Sequence, residues 1–286
     1  MKVILSRKGF DSAAGGHPSL VINNSILQTI PIPSKGDHNI YSTVLSRYEG
    51  KSLFDLIHPI YDKIGVDKFH QWDITTECHL DPDIDYRAKS QRPVGWKGCF
   101  GQAGIAEKVL ENCKVEKDDI FLFFGWFQHC DIDGNSINLH KGNGKHILFG
   151  YLQVGEIYEL TKDTKDEIPE WLKEHPHADK ERIDGKLNRI YVARDTCSWD
   201  NNIKGYGVFP YKEELVLTKE GLTRSRWKLQ DGLGPDDVNI EYHSKKAWKE
   251  DYFQSAGRGQ EFVIDENLKV NNMVRDLISR LGSKIE

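Results

Sequence analysis

The distribution of apolar residues along the chain predicts a sheet flanked by helices. Residues 119–127 contain Ile-Phe-Leu-Phe-Phe-Gly-Trp-Phe, which is apolar on both faces and predicts a strand at the centre of the sheet. Residues 146–157 predict a partner strand, and the polar, glycine-containing segment between the two predicts a hairpin with a long loop. Apolar residues at helical spacing predict amphipathic helices over 102–113 and 268–281.

Shorter patterns complete this outline. Residues 42–64 have helical spacing, and Pro59 within them predicts a kink or a division into two helices. Residues 161–187 are rich in Lys, Asp and Glu and predict an exposed excursion with a short helix at 170–174. We expect one domain over 1–286 with an α+β fold, in which a mixed or mainly antiparallel sheet is flanked by helices. Further strands are predicted at 1–5, 20–33, 189–193 and 261–264.

Composition and charge narrow the class of protein. The chain of 286 residues has a formal net charge of −5, so we do not expect it to hold nucleic acid by an overall positive field. A local basic groove or a nucleotide-sized substrate is compatible with this charge. Five widely spaced cysteines without a Cys-x-x-Cys pair indicate a reduced compartment. With no signal segment and no apolar run of about 18 residues, we expect a cytoplasmic protein with no membrane partner.

A polar, glycine-rich loop follows the first predicted strand. Loops at strand ends often carry ligand sites, because the strand holds them rigidly. Two cations, together with glycines that let backbone N–H groups approach, suit an anion such as a phosphate or a nucleotide. The alternative is a polar turn closed by Gly-Gly. The candidate substrate-binding residues in this loop are Ser6, Arg7, Lys8, Asp11, Ser12, Gly15 and Gly16.

A second cluster has the spacing His79-x-Asp81-x-Asp83. In an extended segment alternate side chains share a face, so these three side chains are expected to converge. They suit a divalent metal with His79 as a ligand, or catalysis with Asp81 or Asp83 as a general base. The alternative is a turn capped by Asp83, because Asp-Pro-Asp is typical turn chemistry.

Three short motifs supply further candidates. Arg224 can pair with a phosphate and Trp227 can stack on a base, although a solvated turn beside a core Trp is an equal alternative. Glu261 is a third catalytic candidate and Gln260 a substrate-binding one, because a Gln-Glu pair entering a strand can polarise a sugar hydroxyl or activate a nucleophile. A plain junction between loop and strand explains that pair as well. Gln102 lies at the start of a predicted helix, where neighbouring glycines permit a ligand to approach.

Seven segments along nearly the whole chain form a pattern typical of one protein family. They are Ser-Arg-Lys-Gly-Phe-Asp-Ser-Ala-Ala-Gly-Gly at 6–16, His-Leu-Asp-Pro-Asp at 79–83, Phe-Gly-Gln-Ala-Gly at 100–104, Phe-Leu-Phe-Phe-Gly-Trp-Phe at 121–127, His-Ile-Leu-Phe-Gly-Tyr-Leu-Gln-Val at 146–154, Arg-Ser-Arg-Trp at 224–227 and Gly-Gln-Glu-Phe-Val at 259–263. This pattern resembles the nucleotide modification associated domain 3 family of bacteria and their phages. The resemblance implies a role in the modification of DNA or nucleotides, with a nucleotide or DNA as substrate and other base-modification proteins as partners. It does not specify a reaction.

The first function compatible with these residues is an enzyme that modifies a nucleobase or a nucleotide. Arg7 and Lys8 would hold phosphate, Asp81 or Asp83 would act as base or metal ligand, and Glu261 would be a second acid–base group. The cofactor is left open, although a divalent metal would suit His79 and its neighbouring carboxylates.

Two other functions remain open at this level. The strands at 119–127 and 146–157 resemble the paired strands of PUA-like barrels, which implies a partial barrel and a non-catalytic reader of modified nucleic acid. Arg7 and Glu261 resemble the early Arg and late Glu of ADP-ribosyltransferases, which implies an ADP-ribosyl- or nucleotidyl-transferase-like enzyme.

Overall fold

The strand predicted at 119–127 lies at the centre of the fold. The computed structural model describes residues 1–62, 72–134, 136–164, 166–179, 182, 187–230 and 233–285. In it the predicted strand forms the first part of β8 (Ile120–Asp133). This strand pairs in parallel with β1 (Val3–Arg7) and antiparallel with β10 (Lys145–Glu159), so it is covered on both edges as well as on both faces.

Ten of the described strands form one sheet that curls into a half-barrel. Its main path runs from β17 (Glu261–Ile264) through β1, β8 and β10 to β11 (Asn188–Ala193) and β7 (Cys99–Ala103). All neighbours on this path are antiparallel except β1 and β8. The predicted α+β fold, with a mixed and mainly antiparallel sheet in a partial barrel, is therefore confirmed. The sheet is extended by β2 (Ser19–Ile22), β3 (Ile26–Gln28), β9 (Ser136–Leu139) and β14 (Tyr206–Val208).

Small sheets and helices complete the described fold. The small sheets contain β4 (Ile32–Pro33), β5 (Asn39–Ile40) and β6 (Glu77–His79), then β12 (Thr196–Cys197) with β13 (Asp200–Lys204), and β15 (Arg226–Trp227) with β16 (Phe253–Gln254). The α-helices are α1 (Leu53–Asp62), α2 (Gly104–Asn112) and α3 (Leu268–Leu281). Within the described ranges, no helix combines the length and apolarity that crossing a lipid bilayer requires.

The predicted C-terminal helix is confirmed with the same bounds. Helix α3 begins after Asn267, whose side chain accepts hydrogen bonds from the N–H groups of Lys269 and Val270. This cap satisfies two of the donors that a helix start leaves unpaired. Helix α2 begins two residues later than predicted, because Gln102 and Ala103 extend β7 instead.

The helix predicted over 42–64 is shorter at its start than expected. Helix α1 begins at Leu53, because Ser52 caps it by accepting a hydrogen bond from the N–H of Asp55 at 3.0 Å. The preceding residues form turns that pair with one another. Pro59 is accommodated inside the helix. The predicted end of this element, at 63–65, lies outside the described residues.

Aromatic side chains form much of the core beside β8. Phe100, Phe121, Phe123 and Tyr191 are each at most 1% exposed. The ring centre of Phe100 lies 5.0 Å from that of Phe121 and 5.3 Å from that of Phe123, in edge-to-face arrangements. These contacts join β7, β8 and β11, so they hold rigidly the sheet end at which β7 carries its polar residues.

Candidate functional site

A cleft of about 520 Å³ lies beside β1, β6, β7 and the loop before β17. Its volume is within the range of small-molecule sites, which is about 300–1,000 Å³. Three cationic or ionisable residues not singled out from the sequence also line it: His177, Arg182 and Arg258. The sequence candidates that line it are Arg7, Lys8, Asp11, His79, Asp81, Gln102 and Gln260.

A buried ion pair lies at the wall of this cleft. Lys8 Nζ donates to Glu261 Oε1 at 2.8 Å, and Gln102 Nε2 donates to the same oxygen at 2.6 Å. The Glu261 side chain is fully buried and that of Lys8 is 9% exposed. Glu261 Oε2 has no hydrogen-bond partner among the described residues, and neither does the hydroxyl of Ser6, which is paired with Glu261 across β1 and β17. Glu261 therefore fixes the positions of Lys8 and Gln102.

Arg7 organises the loop that precedes β17. Its Nη2 donates to the carbonyl of Ala256 at 2.6 Å and its Nη1 to that of Gly257 at 3.2 Å. Burial lowers the pKa of Arg7, while the carboxylate of Asp11 opposes this effect. The loop held in this way places the exposed Arg258 and the side chain of Gln260 along the cleft.

The outer part of the N-terminal loop is closed by local hydrogen bonds. Asp11 Oδ1 accepts from the N–H groups of Ala13 and Ala14, both at 2.7 Å. Ser12 Oγ is hydrogen-bonded to Arg224, whose guanidinium lies 4.2 Å from the centre of the Trp126 ring. Ser12 and Arg224 thus contact each other beside the cleft, outside its lining in the described structure.

Two adjacent glycines in this loop have different surroundings. Gly15 has φ +86°, and a Cβ added there would lie 2.5 Å from the Phe10 ring. Gly16 has φ +79°, and a Cβ added there would meet no atom within 4 Å in the part of the chain that the structure describes. We expect Gly16→Ala to cost about 1 kcal/mol of unfolding free energy through backbone strain alone. Gly15→Ala should cost about 2–4 kcal/mol, because the clash adds to the strain. Urea denaturation of both variants measures these losses of unfolding free energy. Equal losses would show that the Phe10 ring moves aside at no cost.

Asp81 is the centre of a buried cluster of imidazoles. Its Oδ1 accepts from the N–H of Gly101 at 2.8 Å, and His175 Nε2 lies 3.3 Å from the same atom. Its Oδ2 faces His79 Nε2 at 3.8 Å and His177 Nε2 at 3.9 Å. Burial acts to raise the pKa of Asp81, but the contact with His175 outweighs this effect and the pKa lies below its usual range. Asp81 is therefore ionised.

The far side of each outer imidazole is held by an oxygen. His79 Nδ1 lies 2.8 Å from Asp37 Oδ2, and His177 Nδ1 lies 2.8 Å from Asn188 Oδ1. Asn188 Nδ2 donates to the carbonyl of His177 at 2.8 Å, which leaves its Oδ1 as the acceptor. Both rings therefore carry a proton on Nδ1 and turn Nε2 towards Asp81. Burial lowers the pKa of His177 to about 3, so its ring is neutral.

Asp83 and Trp227 lie away from the cleft. Asp83 Oδ1 accepts from Arg92 Nη2 at 2.7 Å, and its Oδ2 lies 3.3 Å from Trp96 Nε1. The peptide bond between Asp81 and Pro82 is cis, and the two carboxylates on either side of it face different neighbours. Trp227 is 5% exposed and donates from Nε1 to His146 Nδ1 at 3.0 Å.

Another buried carboxyl group lies near Glu261, on helix α2. Glu107 is fully buried, and Tyr191 donates to its Oε1 at 2.9 Å. Arg189 Nη1 donates to the same oxygen at 3.2 Å. Burial raises the pKa of Glu107 to about 8, against the opposing effects of Tyr191 and Arg189.

Glu107 should make the protein less stable as the pH rises from about 4.5 to about 8. Over this interval the unfolded carboxyl is ionised while the folded one keeps its proton, so the free energy of unfolding declines and then levels off. Glu107→Gln keeps the shape of the side chain and should remove the part of the pH dependence of the unfolding free energy that comes from Glu107. Urea denaturation of both proteins across this pH range gives the comparison. A difference between them that does not change with pH would contradict the assignment.

Four residues of the imidazole cluster and its surroundings were not predicted from the sequence. His175 and His177 lie in the charged segment 161–187, where 3-10 helices at Glu170–Glu174 and Pro176–Ala178 turn them inwards. Both histidines are at most 6% exposed. The signal in the sequence was His-Pro-His at 175–177 within a segment otherwise dominated by Lys, Asp and Glu. The other two, Asp37 and Asn188, had no distinguishing pattern.

Comparison with known proteins assigns the chain to a family. The model of the family described as nucleotide modification associated domain 3 matches residues 2–265. No curated protein and no solved structure matches the chain. The matched range includes β1, β6, β7 and β17, and with them the cleft residues that these elements position. The chain therefore belongs to the nucleotide modification associated domain 3 family.

Proposed function

We propose that this protein is an enzyme that modifies a nucleobase or a nucleotide in the cleft beside β1 and β7. The observation that carries this proposal is that one cleft of nucleotide size contains both a cationic wall and the buried Asp81 cluster. Cations suit the phosphate of such a substrate, and an ionised buried carboxylate among imidazoles suits proton transfer or metal chemistry. The family to which the chain belongs is associated with nucleotide modification.

The residues of the cleft divide into two groups by their chemistry. Arg258 is exposed at the rim and has no ion-pair partner among the described residues, so it is available to a phosphate. Gln102 and Gln260 offer amides, which donate to and accept from the polar edge of a base. Asp81 is the proposed reacting or metal-binding carboxylate, while Glu261 acts on the site by holding Lys8 and Gln102.

Nucleoside analysis tests this function directly. Cells expressing the wild-type chain should contain a nucleoside or nucleotide that is missing from cells with an empty vector, when DNA, RNA and nucleotide pools are compared by mass spectrometry. Asp81→Asn keeps the shape of the side chain and should abolish that product. Glu116→Gln, on the exposed surface, is the matched control and should retain it. An unchanged product in Asp81→Asn, or no product from the wild type, would overturn the proposal.

A non-catalytic reader of modified nucleic acid is the second candidate, because the half-barrel favours it. It would bind a modified oligonucleotide in preference to the unmodified one and release it unchanged. Fluorescence anisotropy with the two oligonucleotides, followed by mass spectrometry of the recovered strands, separates it from the enzyme. The transferase alternative receives less support, because Arg7 is engaged by backbone carbonyls and Glu261 is fully buried.

A further inference from the structure

We propose that His79, Asp81 and His177 bind a divalent first-row transition metal in the cleft, leaving coordination positions open to a substrate. Each of the three residues offers one ligand atom, and these atoms lie within 4.8 Å of one another. They come from two distant parts of the chain, the end of β6 and the 3-10 helix at 176–178, and they line the same cleft. The role of the metal in a reaction rests on the function proposed above, whereas the binding of the metal does not.

The arrangement of ligand atoms around Asp81 Oδ2 is the first argument for a cation. Asp81 Oδ1 accepts a hydrogen bond from the N–H of Gly101 at 2.8 Å. Oδ2 faces the Nε2 atoms of His79 and His177 at 3.8 and 3.9 Å, which is too far for hydrogen bonds. These three atoms lie within 4.8 Å of one another beside the cleft, and Nδ1 of each ring is already bonded to an oxygen on its other side. A cation between them would be bound by all three.

The hydrogen bonds on the far side of the two rings are the second argument. Histidine ligands usually donate their other ring N–H to a carboxylate or an amide oxygen, which fixes the ring for the metal. His79 has Asp37 in this role and His177 has Asn188, both at 2.8 Å. Asp37 is itself 1% exposed and is held by Arg182 at 3.1 Å. Two unrelated oxygens thus impose the same ring orientation, towards Asp81.

His175 provides an internal contrast. Its Nδ1 accepts a hydrogen bond from the N–H of His177 at 3.2 Å, so the proton of a neutral ring lies on Nε2. A ring in this form cannot offer Nε2 to a metal. His175 Nε2 lies 3.3 Å from Asp81 Oδ1 without a hydrogen bond to it, on the side of the carboxylate away from the proposed cation.

The donor set indicates which metal the site prefers. Two imidazoles and one carboxylate suit zinc, cobalt or ferrous iron, whereas magnesium and calcium prefer oxygen ligands. A tetrahedral metal with bonds of about 2.1 Å sets its ligand atoms about 3.4 Å apart, so the oxygen–nitrogen distances of 3.8 and 3.9 Å need to close by about half an ångström. Three protein ligands are typical of catalytic sites, which keep a position open.

Titration of the chelator-treated full chain with Co²⁺ tests the site. We expect visible absorption bands that saturate at one equivalent, and a rise in the thermal midpoint with Zn²⁺ but not with Mg²⁺. His79→Gln and His177→Gln should weaken Co²⁺ binding at least tenfold, because each removes a ligand. His140→Gln, which changes a half-exposed imidazole elsewhere, should bind as the wild type does. Absence of a saturable band, or unchanged binding in His177→Gln, would overturn the proposal.

Asp37→Asn supplies the test that does not remove a ligand. It should weaken Co²⁺ binding about 10- to 100-fold while the circular dichroism of the metal-free protein stays unchanged.

A protection experiment tests the site even if the histidine variants do not fold. Zn²⁺ should protect His79 and His177 of the wild type from diethyl pyrocarbonate, as mapped by mass spectrometry. Absence of protection would overturn the site. Stoichiometric metal binding without a modified nucleoside would remove the proposed function and keep this inference. A modified nucleoside made by a protein that binds no metal would overturn the metal site and support the proposed function.

Discussion

Replacing Glu261 with Ala should lower the free energy of unfolding by about 3–5 kcal/mol, because a buried ion pair that loses one partner leaves the other charge uncompensated. The Lys8 ammonium would keep only its position 4.4 Å from the centre of the Phe100 ring, which compensates a small part of the loss. Gln102 would also lose the acceptor of its 2.6 Å hydrogen bond. Urea denaturation of the full chain measures the change.

A double variant separates the lost pair from the lost packing. Glu261→Leu combined with Lys8→Met removes both charges and keeps apolar volume, so it should be much more stable than Glu261→Ala. Glu261→Gln keeps the shape of the side chain and one amide oxygen as an acceptor, so its free energy of unfolding should lie between those of the two other variants. A loss of unfolding free energy below about 1 kcal/mol in Glu261→Ala would contradict the burial of this pair, because exposed ion pairs contribute about that much.

Replacing Gly101 with Ala should reduce product formation about 100-fold or more, although it adds only one methyl group and changes no charge. The new Cβ would lie 2.4 Å from the His177 ring and 2.9 Å from His175 Cε1, so both rings must move. Small displacements of reacting groups have effects of this size on rate. We expect a cost of about 1–3 kcal/mol in stability, as for other overpacked sites. Mass spectrometry of the product and thermal denaturation provide the two measurements.

Gly257→Ala is the matched control for Gly101→Ala. Gly257 lines the same cleft, yet a Cβ at this position meets no atom of the described residues within 4 Å. Its product level and thermal midpoint should both stay close to those of the wild type. Comparable activity losses in the two variants would show that the cleft tolerates no added methyl group. They would contradict the prediction that activity depends on the positions of the His175 and His177 rings.

The bounds of a helix or strand could be predicted where its apolar pattern continues to the end of that element. Helix α3 has its predicted bounds because its apolar residues keep helical spacing between its caps, and strand β17 has its predicted bounds because its short apolar run ends at the polar Asp265. Helix α1 was harder, because turns at 43–52 continue the apolar spacing without being helical. Local apolar spacing does not distinguish a helix from a series of turns that packs on the same core.

The candidate site was predictable where its residues belong to short motifs that can be recognised locally. His79 and Asp81 share a short motif, and Lys8 lies in the glycine-rich loop. His177 reaches Asp81 because β7 and β11 pair and the 3-10 helix at 176–178 packs on them, a tertiary contact without a local period. Asp83 has the spacing of a third member, but the chain turns after Asp81 and its carboxylate pairs with Arg92 instead.

The antiparallel pairing of β1 with β17 has a consequence for synthesis of the protein. Val3 pairs with Ile264, so β1 lacks one neighbour until residues 261–264 have emerged from the ribosome. During that time β1 has an open edge that other chains could join. The cleft wall formed by Lys8, Gln102 and Gln260 also cannot exist before that point. Nascent or truncated chains ending before residue 260 should therefore be inactive and prone to aggregation, which favours holding by a chaperone until β17 has been synthesised.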